Sequence, residues 1–389
     1  MTELTPLPPS IESLTPEWLT AALRNGGALP EGSVTSFGHE IIGEGIGFIG
    51  TVARLKLQYS GAGPEAPATA IAKLPSEDPG SRMVGVAFGL YEREVRFYSD
   101  LAGDCGLPAP KPYFSHYDAG AGQAAIILED LTGGAFGDQV AGASLAEAEL
   151  AIDAIGAFHA RWWESPEFAR YPWITSGIET IRQPIQLMYA AAWPVAMERF
   201  GYVFPEELRP LIPDFGRRTM AALDQMTLGP ETLVHGDYRP DNLFFGAPGG
   251  ARPLVACDWQ SPGKATGVVD AAYFITGSME PADRRKHEDD LLRRYHNQLL
   301  EGGVKDYSFD QLKTDFRGYF AGVIAGGVVL LGTLPEGNDR GRRLIESSMN
   351  RFISAMQDHD SWPCCPSSHG PPILRFHTAP RPASAIVAI

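Results

Sequence analysis

Cysteine is scarce and scattered. The four residues, Cys105, Cys257, Cys364 and Cys365, form no CxxC pair and no zinc-ligand spacing, which excludes a disulfide framework or a zinc module and fits a reducing cytoplasm. The first stretch, "MTELTPLPPSIESLTPEW", has no basic segment followed by an apolar one, so no secretory signal is expected. Long apolar runs are missing too. The longest, "FAGVIAGGVVLLGTL" from Phe320 to Leu334, falls short of the roughly 18 residues of a membrane span and reads as a core helix whose glycines allow close packing. Positive charge is in deficit. With 32 Lys+Arg against 47 Asp+Glu the net charge is −15, which argues against nucleic-acid backbones and anionic membranes as partners. No repeat with a period of roughly 20 to 50 residues is present.

What is there is ordinary globular composition, 44% hydrophobic and 20% charged, in 389 residues. That length exceeds what one core supports and predicts two lobes. Thr15, Pro16 and Glu17 read as N-cap, first helical residue and first-turn acid of a helix through about Arg24. "TVARLKLQY" and "ATAIAKL" read as an antiparallel hairpin. "VAFGLYEREVRFYSDLA" reads as one helix, with Phe88, Tyr91, Val95, Tyr98 and Leu101 at three- and four-residue steps. "QAAIILEDL" reads as a strand. Ser144 with Glu147 forms a capping box that opens a long helix. Beyond it helices dominate, apart from short strands around "TLVHGD" and "PLVACDW". The expectation is an α+β protein: a β-rich lobe over 1–130, a mainly helical lobe over 131–362, joined near Glu129 to Gly134, and a poorly ordered tail over 363–389.

Three motifs carry chemistry. Gly45, Gly47 and Gly50 in "GEGIGFIGTVARL" follow GxGxxGxV, a spacing that lets backbone amides approach a phosphate. A strand-like segment follows where the dinucleotide fingerprint requires a helix, so a hairpin loop over nucleotide phosphates fits better, although a ligand-free Gly-rich hairpin has the same pattern. Lys73 in "AIAKLP" is a lone cation late in an apolar strand, costly to bury unless an anion pairs with it. A phosphate and a helix carboxylate are its natural partners, with Glu94 preferred and Glu92 the competitor; a strand-end lysine reaching solvent is the plain alternative. Third, "HGDYRPDN" (His235 to Asn242) lies between the apolar runs TLV and LFF, and Asp258 ends the next strand. Asp237, Asn242 and Asp258 together make an oxygen-ligand set suited to Mg²⁺, while His235 suits the orientation of the loop. A polar turn explains the Asp, Pro and Asn singly, but not their order with the other two motifs.

Taken in order, the glycine loop, strand lysine, helix glutamate, HxDxxxxN and strand-end Asp resemble the protein-kinase-like superfamily. "HGDYRPDN" resembles the loop of aminoglycoside phosphotransferases and choline kinases. "EVRFY", "ILEDL", "HGDYRPDN", "DWQ" and "VVDAAYF" together look like the ecdysteroid-kinase-like branch, over about 43–270. The resemblance implies a bilobal protein-kinase-like fold and an ATP- and Mg²⁺-dependent small-molecule kinase. Asp237 would accept or orient the proton of the substrate hydroxyl, and Asn242 and Asp258 would hold Mg²⁺. Lys73, positioned by Glu94, would bind the α- and β-phosphates under Gly45, Gly47 and Gly50. Arg239 would neutralise the transferred phosphoryl group, the backbone around Glu129 and Asp130 would meet adenine, and Asp270 would brace the catalytic loop through backbone amides.

Two departures sharpen the expectation. DWQ replaces DFG, so switching of the kind a Phe controls is not expected. Only 11 residues separate Asp258 from Asp270, which leaves no peptide-docking segment and points to a small-molecule alcohol. The acceptor stays open among aminoglycosides, choline-like alcohols, hydroxyacyl-CoA thioesters and lipophilic alcohols, and a catalytically silent nucleotide-binding pseudokinase is the alternative class. Trp173, Tyr189, Trp193, Phe200, Tyr202 and Phe204 could wall an apolar acceptor pocket; the same spacing also describes a helix core.

Overall fold

The computed structural model describes residues 6–43, 49–213, 229–246, 250–333, 339–359 and 361. Its N-terminal part is a five-stranded antiparallel sheet in the order β1 (Ser33–Ile42), β2 (Gly50–Ser60), β3 (Thr69–Pro75), β5 (Gln123–Glu129), β4 (Pro112–Asp118). The expected hairpin is β2 and β3, with Val52 opposite Lys73. Because side chains alternate along a strand, Ala70, Ala72 and Leu74 enter a small core with Leu19, Leu23, Leu55 and Ile127. Lys73 and Ile126 lie opposite each other on the other face, Ile126 entering the larger core. The helix α1 (Pro16–Asn25) covers the first face, and Thr15 Oγ1 accepts the Trp18 N–H at 3.1 Å as its cap.

Two strands escape the periodicity. β1 is an edge strand with one fully buried residue, Val34, and β4 buries only Phe114 and Ser115, so neither has an apolar alternation to read. The single helix expected after β3 is also corrected. It is two helices, α2 (Pro79–Ala87) and α3 (Leu90–Arg96), separated by Gly89 at φ +64°. A π turn follows, Phe97–Leu101, closed by the Ala102 N–H on the Phe97 carbonyl at 2.9 Å. The apolar spacing was correct, but a left-handed glycine cannot continue an α-helix.

The C-terminal part is helical: α4 (Leu145–Trp162), α5 (Gly177–Phe200), α6 (Val268–Ser278), α7 (Pro281–Glu301), α8 (Phe309–Thr333) and α9 (Asp339–Asp358). The capping box of α4 is formed, with Ser144 N–H on Glu147 Oε2 at 2.8 Å and Glu147 N–H on Ser144 Oγ at 3.3 Å. Two small antiparallel sheets sit among the helices: β6 (Gly134–Phe136), β8 (Leu243–Gly246) and β9 (Leu254–Ala256), and β7 (Glu231–Val234) with β10 (Gly263–Thr266). By length and composition α8 could cross a membrane, yet it packs on α5 and α9. A Cβ on Gly332 would lie 2.3 Å from the Ala192 carbonyl oxygen and one on Gly327 would lie 2.1 Å from Met349 Sδ, so these glycines do permit close helix packing. The aromatic segment goes largely to the interior: Tyr189, Phe200 and Phe204 are core, Trp173 and Trp193 pack half-buried against it, and Tyr202 is exposed. Residues 363–389 lie outside the described residues.

Candidate active site

The loop between β7 and β8 is fixed from below by one carboxylate. Asp270, buried on the first turn of α6, accepts the His235 N–H at 2.6 Å and the Gly236 N–H at 3.0 Å. This is the bracing role expected of it. Gly236 sits at φ +83°, where a Cβ would meet the Ser261 carbonyl oxygen at 2.3 Å, so no other residue fits the turn. His235 is a second brace. Its Nε2 meets the Cys257 carbonyl at 2.9 Å, and its Nδ1 accepts the Asp237 N–H at 3.3 Å, which places the proton on Nε2.

That frame presents Asp237. Asn242 Nδ2 donates to Asp237 Oδ2 at 2.8 Å and to the Asp237 carbonyl at 2.9 Å, which orients the carboxamide oxygen of Asn242 away from Asp237. Arg239 Nε lies 3.1 Å from both Asp237 oxygens, and Arg239 Nη1 donates to Asp241 Oδ2 at 2.7 Å. The Arg239 guanidinium is thus folded back onto its own loop.

The opposite wall carries Lys73. Its ammonium donates to Glu94 on α3 at 2.8 Å and also to Asp258 of the other lobe. Glu94 is therefore the partner; Glu92 pairs with Arg96 at 2.8 Å. Gly50 lines the small cavity beside Lys73 and Glu94, where a Cβ would come 3.1 Å from the Leu74 carbonyl oxygen. Gly45 and Gly47 lie outside the described residues. Asp258 has φ +62°, rare for a residue with a Cβ and typical of positions constrained by function. The next residue locks it. Trp259 is fully buried, stacked on Phe97 of the π turn at 3.9 Å between ring centroids and 6° between planes, and edge-on to Phe158 at 5.7 Å.

Electrostatics divide the two carboxylates on Lys73. Burial alone would lower the lysine's pKa, but the charges of Asp258 and Glu94 outweigh it and hold the ammonium above its ordinary range. Burial raises the Glu94 carboxyl to about 7 against the pull of Lys73. For Asp258 burial acts upward too, but Lys73 and then Arg239 more than offset it, keeping the group below the carboxylate range.

At the hinge the side chains of Glu129 and Asp130 are already engaged. Glu129 forks onto Arg252, in the connection between β8 and β9, and accepts the Lys111 N–H at 2.9 Å. Asp130 forks onto Arg54 of β2 at 2.8 and 3.2 Å. Any base there would meet backbone rather than these carboxylates.

The residues suit Mg²⁺ held jointly with phosphates. Among the described residues no three His, Cys, Asp or Glu side chains form a metal cluster. What the cleft offers is the Asp258 carboxylate and the Asn242 carboxamide oxygen, a sparse oxygen set of the kind Mg²⁺ uses when a nucleotide supplies the other ligands. The sequence reading did not single out Phe97, Trp259, Asp241 or Arg252 as site-building residues. Asp241 lay inside the quoted motif, but its position in a Pro–Asp turn hid it.

A model of the phosphotransferase enzyme family matches residues 84–307, more than half of the chain, and the chain belongs to that family. Among solved structures, the GDP and kanamycin complex of APH(2")-IIia is 15% identical and covers 88% of this chain and 99% of that one, with a TM-score of 0.51. The GDP complex of wild-type aminoglycoside 2'-phosphotransferase-IIIa is 15% identical, covering 89% and 100%, at a TM-score of 0.50. An ethanolamine kinase of Plasmodium vivax is 13% identical over 84% of each chain at a TM-score of 0.48. No curated protein sequence matches the chain. The first two structures share the expected α+β, bilobal protein-kinase-like fold.

Proposed function

We propose that the protein transfers the γ-phosphoryl group of Mg·ATP to a hydroxyl of a small molecule. The observation that carries this reading is the linked set Lys73–Glu94–Asp258 and Asn242–Asp237, joined where the Cys257 N–H beside Asp258 donates to the Asn242 carbonyl at 2.8 Å, in a member of the phosphotransferase family. Lys73 would hold the α- and β-phosphates, and Asp237 would orient the acceptor hydroxyl and take its proton as the new O–P bond forms and the bond to the β-phosphate oxygen breaks. Asn242 and Asp258 would hold Mg²⁺, which when bound neutralises phosphate charge. Arg239 Nη2, which makes no hydrogen bond among the described residues, would face the transferred group. The acceptor is a free small-molecule alcohol, taken up in the cytoplasm with no nucleic-acid or membrane partner. With Tyr189, Phe200 and Phe204 in the core, a lipophilic acceptor would rest on the half-buried Trp173 and Trp193 instead.

The test is a mass-spectrometric screen of a metabolite pool for phosphate adducts with Mg·ATP, and with Mg·GTP in parallel because two structural neighbours are GDP complexes. Wild type and Asp237→Asn are run together. Products formed by wild type and lost in the variant support the reading; equal products from both sink it. Nucleotide-dependent thermal stabilisation without products or ADP would establish the silent nucleotide-binding alternative.

A further inference from the structure

Arg239 and Asp241 form a unit beneath the catalytic carboxylate. Asp241 is 4% exposed and Arg239 is 11% exposed, against 25% for Asp237, so the pair lies under the surface that Asp237 presents to the cleft. Asp241 is anchored on its far side: Oδ1 accepts the Gln139 N–H at 2.9 Å, with Arg340 Nη2 at 4.0 Å. Gln139 is itself fixed, because Arg351 donates to its carbonyl at 2.6 Å and its Nε2 donates to the Gly277 carbonyl at 2.8 Å. A guanidinium is a rigid planar fork. With Nη1 held by Asp241, the direction of Nε toward Asp237 is set.

We propose that Asp241 is a positioning residue that acts through Arg239, anchoring one edge of the guanidinium so that the other edge holds the Asp237 carboxylate in its working orientation. This rests on the phosphotransfer reading, in which Asp237 meets the acceptor hydroxyl. It also assigns Arg239 a bracing duty alongside any contact its Nη2 makes with the transferred group. A lysine cannot do the same, since one ammonium lacks two separate fixed edges.

Two measurements on the full chain test this. In kinetics, Asp241→Asn lowers kcat on the order of ten- to a hundredfold, as misplacement of a reacting group does, with KM for the nucleotide within about twofold. In an Arg239→Lys background the same substitution adds almost nothing, because the two residues act as a unit. Independent multiplication of the two losses, or a kcat unchanged in Asp241→Asn, overturns the proposal. The second measurement needs no turnover: ¹⁵N NMR of the Arg239 Nε–H, assigned by its disappearance in Arg239→Lys. The proposal expects slow hydrogen exchange in wild type and faster exchange in Asp241→Asn at unchanged melting temperature. Unchanged exchange, or a loss of melting temperature alone, overturns it. A wild type that transfers phosphate to nothing defeats the phosphotransfer reading, and the NMR result still decides the anchoring.

Discussion

Asp237 and Asp258 face the same cleft and are held in opposite ways. Asp237 is kept in place by its own loop, through Asn242 Nδ2, Arg239 Nε and a backbone frame that hangs on Asp270. Asp258 takes its main partner from the other lobe, the ammonium of Lys73, and its backbone is pinned in a left-handed conformation by the buried Trp259 beside it. One carboxylate is preorganised within a lobe, while the other is completed only when the lobes meet. In the proposed reaction, preorganisation would suit Asp237 as the group that takes a proton at a fixed point. A cross-lobe contact would suit Asp258, whose partner Lys73 would be shared with an incoming phosphate.

The largest expected effect tests this division. Asp237→Asn and Asp258→Asn should each lower kcat by about a thousandfold or more, but only Asp258→Asn should also weaken Mg·ATP binding more than tenfold, as read by calorimetry. Equal nucleotide affinities in the two variants would break the comparison. Next, Asp270→Asn should destabilise the fold by roughly 2–4 kcal/mol in urea unfolding, because a buried carboxylate bonded to two backbone amides becomes a carboxamide with an NH₂ facing one of them. A cost under about 0.5 kcal/mol would mean that the loop frame is held elsewhere.

Trp259→Phe should cost about 1–3 kcal/mol through lost stacking on Phe97 and the space left behind, measured by chemical denaturation. If nucleotide affinity falls too, the indole also sets the aim of Asp258. The smallest effect is in pH dependence. Glu94 has a raised folded pKa of about 7, so the stability it confers is full below its ordinary value of 4.5 and is lost as pH rises through about 7. Asp258 is lowered from 3.8, so its contribution is present above that value and is lost as pH falls further. Glu94→Gln should therefore flatten the decline of melting temperature between about pH 5 and 8 and leave the acid limb intact. An unchanged profile would show that Glu94 stays ionised throughout.

The strand hairpin, the α4 cap and Lys73 with Glu94 were legible because each has a local signature, alternation, a capping box or a costly buried charge, whereas the Asp270 brace was expected only through the resemblance to the kinase-like family. Other features were hidden for physical reasons. β1 buries too little to alternate. The break at Gly89 costs the apolar spacing nothing and so leaves no trace in it. The Phe97–Trp259 stack joins residues far apart in the chain, and the forks of Arg252 on Glu129 and Arg54 on Asp130 join charges on separate segments whose pairing no period encodes. Asp241 is the instructive case. Its chemistry was visible, but its role depends on Gln139, about a hundred residues earlier in the chain.

The two arginine forks at the hinge have a consequence for encounter. In the proposed reaction a polyanionic nucleotide would approach a molecule whose net charge is −15, and two bare carboxylates beside its proposed base-binding segment would add a repulsive barrier. With Glu129 and Asp130 each capped by a guanidinium, those two charges are balanced where they stand and add little to the repulsion an anion meets. The sum of charges keeps such molecules apart from one another in solution, while their local arrangement governs what is admitted.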